Sequence, residues 1–248
     1  MTAQNNAPLP DGLEIAGYRI VKKIASGGFS IVYLAYDEDG NAVAIKEYLP
    51  SALALRTPGE LVPTISPENL ATFRIGLKCF FEEGRALARI AHPNVVSVLN
   101  FFRANDTVYM VMAYESGRSL QEHILRRRDK GEKPLVSERF IRKMFGQVMH
   151  GVREVHTNKL LHLDLKPANI YLRVDGTPIL LDFGAAPPDP QNRFAETVSD
   201  VYPRVCGAGA LRAQCFARSL DRYLQHRGLD LCVHGRRTAA GGRSAKSE

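Results

Sequence analysis

Residues 160–172, LLHLDLKPANIYL, place a cluster of chemically active side chains between two apolar runs. Asp164 can accept the proton of a hydroxyl group and orient that group as a nucleophile. The amine of Lys166 can offset negative charge that develops on a group in transfer. The amide of Asn169 offers an uncharged oxygen to a magnesium ion. Each of these residues alone is more often a turn former or a surface charge, so their order along the chain decides the interpretation.

Two upstream segments carry groups that suit phosphate binding. Residues 26–30, SGGFS, lie between two predicted strands, and their glycines let backbone amides approach phosphate oxygens. Alone, this segment is more typical of a plain hairpin turn. Lys46, in the VAIK run of the next strand, has an apolar neighbour on each side, so its ammonium should face the interior. A buried lysine needs an acidic partner, for which Glu83 is the better candidate and Glu82 the alternative.

A second candidate carboxylate follows residues 160–172. Asp182, in the LLDFG run, is the hard oxygen ligand that magnesium prefers. A phosphoryl-transfer enzyme must hold a triphosphate, neutralise it with metal and cations, and place an acceptor hydroxyl beside a base. The chain offers a candidate for each of these parts in the expected order. The sequence therefore predicts phosphoryl transfer.

Apolar periodicity predicts the elements that position these groups. Strands are predicted at residues 18–24, 31–36, 42–47, 95–102 and 108–114. The triplet Ser66-Pro67-Glu68 resembles a helix start, and helical spacing continues from there through Ile90. Two further helices are predicted at residues 120–128 and 137–156. The pattern indicates a small antiparallel sheet with one helix against it, followed by a more helical part.

The composition favours a folded, soluble protein. Of 248 residues, 45% are hydrophobic and 24% are charged, and four cysteines occur without a C-x-x-C pair. We expect no membrane span and a cytoplasmic location, because no window approaches about eighteen uninterrupted apolar residues and the start lacks a signal-peptide pattern. The net charge of +7 is concentrated at the end: residues 1–186 hold 23 basic and 20 acidic side chains, and residues 187–248 hold 10 and 6. Nucleic acid is therefore not an expected partner.

Residues 18–186 resemble the eukaryotic-like Ser/Thr protein kinases, especially their bacterial branch. The resemblance rests on VAIKEYLP, HPNVVSVL, VYMVMAYESGRSL, LLHLDLKPANIYL and ILLDFGAA, a highly specific combination. It implies an α+β, two-lobed kinase fold. The N-lobe would be a five-stranded antiparallel sheet with one helix, and the C-lobe would be mainly helical and incomplete. The implied domains are a leader at 1–17, the N-lobe at 18–115, the first part of the C-lobe at 116–186 and an aberrant tail at 187–248.

The resemblance also implies the cofactors ATP and Mg²⁺ and a protein substrate with a Ser or Thr hydroxyl. Asp164 would be the catalytic base, assisted by Lys166 and Asn169, and Asn169 and Asp182 would hold magnesium. Lys46 would contact the phosphates and pair with Glu83. The nucleotide contacts implied in full are Ile24, Ala25, Ser26, Gly27, Gly28, Phe29, Val32, Ala44, Lys46, Glu83, Met112 and Glu115.

The chain departs from the family pattern in three places. The glycine-rich loop of the family corresponds to residues 25–30 of this chain. Ala25 and Ser30 replace its outer glycines, so we expect weakened phosphate contact. Leu163 replaces the usual Arg before the catalytic Asp, which removes the cation that pairs with a phosphorylated activation loop in many relatives. After Gly184 only 64 residues follow, without an A-P-E-like anchor. We therefore expect that a truncation or frameshift shortly after Ala186 produced a poorly ordered tail.

Two other functions stay open at this level. The chain could be a nucleotide-binding or interaction module that transfers no phosphate, or a small-molecule phosphotransferase of the aminoglycoside-kinase type. Lys166-Pro167 and the intact Asp-Phe-Gly argue against the second. The insert at residues 47–69, EYLPSALALRTPGELVPTISPEN, is either a regulatory flap or simply a longer connection.

Overall fold

The fold is described from a computed structural model, which covers residues 6–132 and 136–181. Asp182, the rest of the Asp-Phe-Gly motif and the predicted tail with its frameshift lie outside these residues. Within the described part the strands are β1 (Glu14–Ile15), β2 (Tyr18–Ser26), β3 (Ser30–Tyr36), β4 (Ala42–Tyr48), β5 (Ala54–Leu55), β6 (Thr64–Ile65), β7 (Val98–Ala104), β8 (Thr107–Ala113), β9 (Gly117–Ser119), β10 (Ile170–Arg173) and β11 (Pro178–Leu180). The α-helices there are α1 (Leu70–Leu87), α2 (Leu120–Asp129) and α3 (Glu138–Thr157).

The N-lobe sheet contains the five predicted strands and one more. Among the described residues its order is β1-β2-β3-β4-β8-β7, with every neighbouring pair antiparallel. The additional strand, β1, and the buried side chain of Leu9 both come from the stretch predicted as a leader. This stretch therefore packs against the sheet. Its two-residue strand is too short to give an alternating signal in the sequence.

Helix α1 begins later and ends earlier than predicted. Ser66 occupies a separate turn, in which the Asn69 N–H donates to the Ser66 carbonyl and the Ser66 hydroxyl bonds to Glu68. The helix starts after Asn69 and ends at Leu87 rather than Ile90. The hydroxyl, proline and acid at 66–68 favour a tight turn as well as a helix start, which explains the error.

The face of α1 that contacts the sheet is tightly packed. Tyr48 lies with its ring centroid 5.3 Å from that of Phe73 and 5.6 Å from that of Phe80. At Gly76 a Cβ atom would collide with the Tyr48 hydroxyl, and at Gly84 it would collide with a phenylalanine ring from β7. Glycine at these positions lets the helix approach the sheet closely.

The described part of the C-lobe combines α2 and α3 with a three-stranded sheet of order β11-β10-β9. Helix α2 starts with a capping box between Ser119 and Glu122, and Ser137 caps α3. The buried face of α3 packs against β11. Asn94 joins this unit to the N-lobe, because its side chain donates to the Pro178 carbonyl at 2.7 Å. Among the described residues no helix is both long and apolar enough to cross a membrane.

Candidate active site

A cavity of about 650 Å³ brings together predicted residues that lie far apart in the sequence. From the N-lobe it is lined by the glycine-rich loop, Val32, Lys46 and Glu83. Tyr48 and Phe80 also line it, and neither was predicted. From the C-lobe it is lined by Leu163, Asp164, Lys166, Ala168 and Asn169. Side chains from two lobes thus surround one space large enough for a ligand of nucleotide size.

The predicted catalytic residues Asp164, Lys166 and Asn169 form a compact hydrogen-bonded unit. Lys166 Nζ lies 2.6 Å from Asp164 Oδ2, and Asn169 Nδ2 donates to the same oxygen at 2.8 Å and to the Asp164 carbonyl at 2.9 Å. Asn169 is buried at the end of the short 3₁₀ helix Pro167–Asn169. The three side chains are therefore held in one fixed arrangement, with a cation directly beside the carboxylate.

The residues before Asp164 shape its backbone. His162 Nε2 lies 3.0 Å from the Leu181 carbonyl oxygen, and the Asp164 N–H donates to the His162 carbonyl at 2.6 Å. Leu163 between them has a φ of 52°, a left-handed conformation that is uncommon for a bulky side chain. The Leu163 side chain is 68% exposed and borders the cavity. The side chain at the position of the missing arginine therefore makes little contact with the described residues.

Strand alternation places Lys46 on the cavity side of β4. Ala44 and Lys46 share one face, whereas Val43, Ile45 and Glu47 are buried on the other. The Lys46 ammonium lies 5.9 Å from the centroid of the Phe80 ring on α1. The cavity-facing position of this lysine agrees with the prediction.

The two acidic candidates on α1 differ in position. Glu83 lines the cavity together with Lys46. Glu82 is half-exposed and pairs with Arg85, one turn further along the same helix, at 3.6 Å. The geometry therefore favours Glu83 over Glu82 as the acid that acts with Lys46.

The glycine-rich loop forms the end of the cavity between β2 and β3. The Gly27 N–H donates to the Ser30 carbonyl at 2.9 Å, which closes the turn. A Cβ atom at Gly27 or Gly28 would meet no atom within 4 Å, so the space beside these residues is open. Phe29, at the tip, is half-exposed. The backbone here is accessible to a phosphate-bearing ligand.

Four predicted nucleotide contacts do not line this cavity: Ile24, Ala44, Met112 and Glu115. Ile24 is exposed on β2, and Ala44 lies directly opposite Met112 in the sheet. The Glu115 carboxylate receives two hydrogen bonds from Arg173, at 2.7 and 2.6 Å. This bidentate pair connects the segment between the lobes to β10, and the two residues are 58 positions apart. No local pattern in the sequence indicates it.

A buried ion pair on the opposite face of the sheet was also missed. Glu47 and Arg56 are 0% and 1% exposed, and the guanidinium binds both carboxylate oxygens, at 2.6 and 2.7 Å. The hydroxyls of Tyr33 and Tyr109 donate to the same carboxylate at 2.7 and 2.8 Å. Burial and the Glu47 charge raise the pKa of both tyrosines above their ordinary value. Burial alone would lower the pKa of Arg56, but the hydrogen bonds and charge of Glu47 raise it overall.

Comparison with known proteins agrees with this geometry. The protein kinase domain family matches residues 18–202. The serine/threonine-protein kinase PknD of Chlamydia pneumoniae is 30% identical over 178 residues, covering 68% of this chain and 17% of PknD. The probable serine/threonine-protein kinase PknB of Lactococcus lactis is 27% identical over 169 residues, covering 68% of this chain and 23% of PknB. The chain thus spans about a quarter or less of the length of these relatives.

Solved structures give the same result. The apo form of PpkA-294 superposes with a TM-score of 0.68 at 34% identity, covering 77% of this chain and 66% of that one. The kinase domain of PknI from Mycobacterium tuberculosis, at 24% identity and a TM-score of 0.54, supports the fold. Motifs, two-lobed architecture and sequence similarity all agree, and the chain belongs to the protein kinase family.

Proposed function

We propose that this chain binds Mg-ATP in the cavity between its lobes and transfers the γ-phosphoryl group to a Ser or Thr hydroxyl of a protein. The observation that carries the proposal is the convergence of Lys46 and Glu83 with Asp164, Lys166 and Asn169 around one cavity. These are the cationic, acidic and amide groups that phosphoryl transfer requires. Lys46 and Glu83 both lie more than eighty residues before the other three in the sequence. The same proposal places the protein in the cytoplasm.

Asp164 is assigned as the base that orients the acceptor hydroxyl. Lys166 and Asn169 both bind Oδ2 of this carboxylate, so Oδ1 is the oxygen that can accept the hydroxyl proton. The Lys166 ammonium, held 2.6 Å from Oδ2, then offsets the charge on the phosphoryl group while it moves. Lys46 is assigned to the nucleotide phosphates, with Glu83 as its partner.

Asn169 suits one ligand position of a magnesium ion. The Asn169 amide nitrogen is occupied by Asp164, so the amide directs its carbonyl oxygen elsewhere, as a neutral ligand of the kind magnesium accepts. The Leu181 N–H, adjacent in sequence to Asp182, donates to the Asn169 carbonyl at 2.9 Å. We assign Asn169 and Asp182 to the metal, which would neutralise the phosphate oxygens when bound.

The remaining assignments concern the nucleotide. Residues 25–29 would cover the phosphates from the N-lobe side, and Val32 would form part of the surface above the adenine. Ala44 and Met112, neighbours across β4 and β8, would contact the adenine, and the backbone at Glu115 would read its edge. The Glu115 side chain is assigned to Arg173 instead of the ligand, because it is already bound twice.

The proposal is tested by radiolabel transfer from Mg-ATP to casein and to the chain itself, together with Mg-ATP binding by thermal shift. Asp164→Asn should lower the transfer rate by about 10²–10⁴-fold, as expected for loss of a general base, and leave Mg-ATP affinity within a few-fold. Asp129→Asn, an exposed carboxylate on α2, is the matched control and should behave as wild type. Mg-ATP binding without transfer in the wild type would support a nucleotide-binding module and reject the enzyme. Undiminished transfer in Asp164→Asn would reject the role of Asp164.

A further inference from the structure

The insert between β4 and α1 contacts the glycine-rich loop directly. The Leu49 N–H donates to the Phe29 carbonyl at 3.0 Å, and the Ser51 N–H donates to the Gly28 carbonyl at 2.9 Å. The Ser51 hydroxyl reaches the same Gly28 carbonyl at 3.3 Å. The first residues of the insert thus hold two consecutive peptide groups at the tip of the loop.

The same segment is anchored at its other end. A turn starts at Pro50, whose carbonyl accepts the N–H groups of Leu53 and Ala54 at 3.0 and 2.9 Å. Arg56, a few residues on, forms the buried pair with Glu47 on β4. Leu49 and Ala54 are buried as well. Residues 49–56 are therefore packed into the N-lobe and do not form a loose flap.

The anchor lies directly behind residues that face the cavity. Glu47 sits between Lys46 and Tyr48, which both line the cavity, and its carboxylate is buried on the reverse side of the sheet. Tyr109 lies directly opposite Glu47 on β8, and Tyr33 contributes from β3. The network therefore connects three adjacent strands at the depth of the predicted phosphate site.

We propose that residues 49–56 form a brace that holds the glycine-rich loop in its phosphate-binding conformation, with Leu49 and Ser51 as positioning residues and Arg56 as the anchor. In a trans peptide the N–H points away from the carbonyl before it. Fixing the Gly28 carbonyl on the brace therefore directs the Phe29 N–H to the other side of the loop. The proposal rests on the proposed function for its ligand, the phosphates of ATP.

Position 51 allows a selective test. Ser51 is the second residue of the turn that starts at Pro50, where proline is favoured in the common turn types, and its φ is not positive. Ser51→Pro should therefore keep the turn, remove the N–H that holds Gly28, and push the Gly28 carbonyl away with the ring carbon that replaces the amide hydrogen. Ser51→Ala keeps that N–H and removes the long, exposed hydroxyl contact, which makes it the matched control.

Two measurements compare these variants with the wild type. Hydrogen exchange of residues 25–30 should become faster in Ser51→Pro and change much less in Ser51→Ala, which keeps the shorter N–H contact to Gly28. The dissociation constant of Mg-ATP should rise roughly twofold to tenfold in Ser51→Pro, the effect of one lost hydrogen bond. The dissociation constant of adenosine, which lacks phosphates, should change less than twofold. If Ser51→Pro matches Ser51→Ala in both measurements, the brace is refuted.

A second variant tests the anchor at Arg56. Arg56→Lys keeps the positive charge beside Glu47 but loses the bidentate geometry. It should also speed exchange at residues 25–30 and weaken Mg-ATP without weakening adenosine, and unchanged exchange there would reject Arg56 as the anchor. A wild type that binds no Mg-ATP would reject the proposed function, whereas the exchange comparison still decides whether the brace exists.

Discussion

Replacing Arg56 with methionine should destabilise the protein strongly. The Glu47 carboxylate is fully buried and is bound by four donors, two from Arg56 and one each from Tyr33 and Tyr109. Arg56→Met leaves this charge inside the lobe with only the two hydroxyls. Breaking a buried pair in this way costs about 3–5 kcal/mol. Since the net stability of a domain is about 5–15 kcal/mol, the variant should lose a large fraction of it.

The assay is urea denaturation followed by circular dichroism, supported by thermal melting. A loss of about 3–5 kcal/mol corresponds to a melting temperature lower by about 6–20 °C for a domain of this size. Arg142→Met, which removes an exposed arginine paired with Glu138 on α3, is the matched control and should change stability by at most about 1 kcal/mol.

A double variant separates the buried charge from the lost packing. Glu47→Gln combined with Arg56→Met removes both charges and keeps an oxygen that the tyrosine hydroxyls can reach. The double variant should be more stable than Arg56→Met alone by at least about 2 kcal/mol. Removing one partner of a buried pair destabilises a protein more than removing both partners. If Arg56→Met lies within about 1 kcal/mol of the wild type, or if the double variant is the least stable of the set, the reasoning about the buried pair is refuted.

Two further predictions concern packing and pH. Gly76→Ala places a methyl group against the Tyr48 hydroxyl, whereas Gly146→Ala on α3 meets no atom within 4 Å. Both variants gain the same helix propensity, so the difference between them reports the steric contact. Denaturation midpoints should show Gly76→Ala less stable than Gly146→Ala by about 1–3 kcal/mol. Equal stability of the two variants would contradict the close contact. Burial lowers the pKa of His123 below its ordinary value of 6.5, and the positive charges of two nearby arginines lower it further. Stability should therefore fall as pH drops below about 6.5, and His123→Asn should lose less between about pH 7.5 and 5; an NMR titration with the pKa at or above 6.5 would contradict this.

The parts of the site that could be predicted are those with a local signature. Strand alternation around Lys46 indicates which face it occupies, and the side chain does line the cavity. The spacing of Asp164, Lys166 and Asn169 places them in one short segment that ends with the 3₁₀ helix Pro167–Asn169, so their mutual contacts follow from local geometry. That these residues face a cavity between two lobes was predicted from the family resemblance, because no local pattern in the sequence indicates it.

The parts that could not be predicted depend on contacts between distant residues. Glu47 reads as a surface charge next to Lys46, and nothing in its neighbourhood shows that Arg56 and two tyrosines converge on it. Glu115 and Arg173 are likewise far apart in the sequence, and only the fold brings their side chains together. Buried polar residues need partners, but the sequence alone does not say which residues provide them.

The glycine-rich loop shows how these distant contacts change the interpretation of a local departure. The replacement of its outer glycines by Ala25 and Ser30 leads to the expectation of weakened phosphate contact. Part of the value of glycine in such a loop is its conformational freedom. A loop that is held through the Gly28 and Phe29 carbonyls has less need of that freedom. Alanine and serine lose less conformational entropy than glycine when they become ordered, provided that the required φ is negative, and neither residue has a positive φ here. Under the proposed brace, the substitutions therefore suit a loop that is fixed in advance, and the expected loss of phosphate contact should be small.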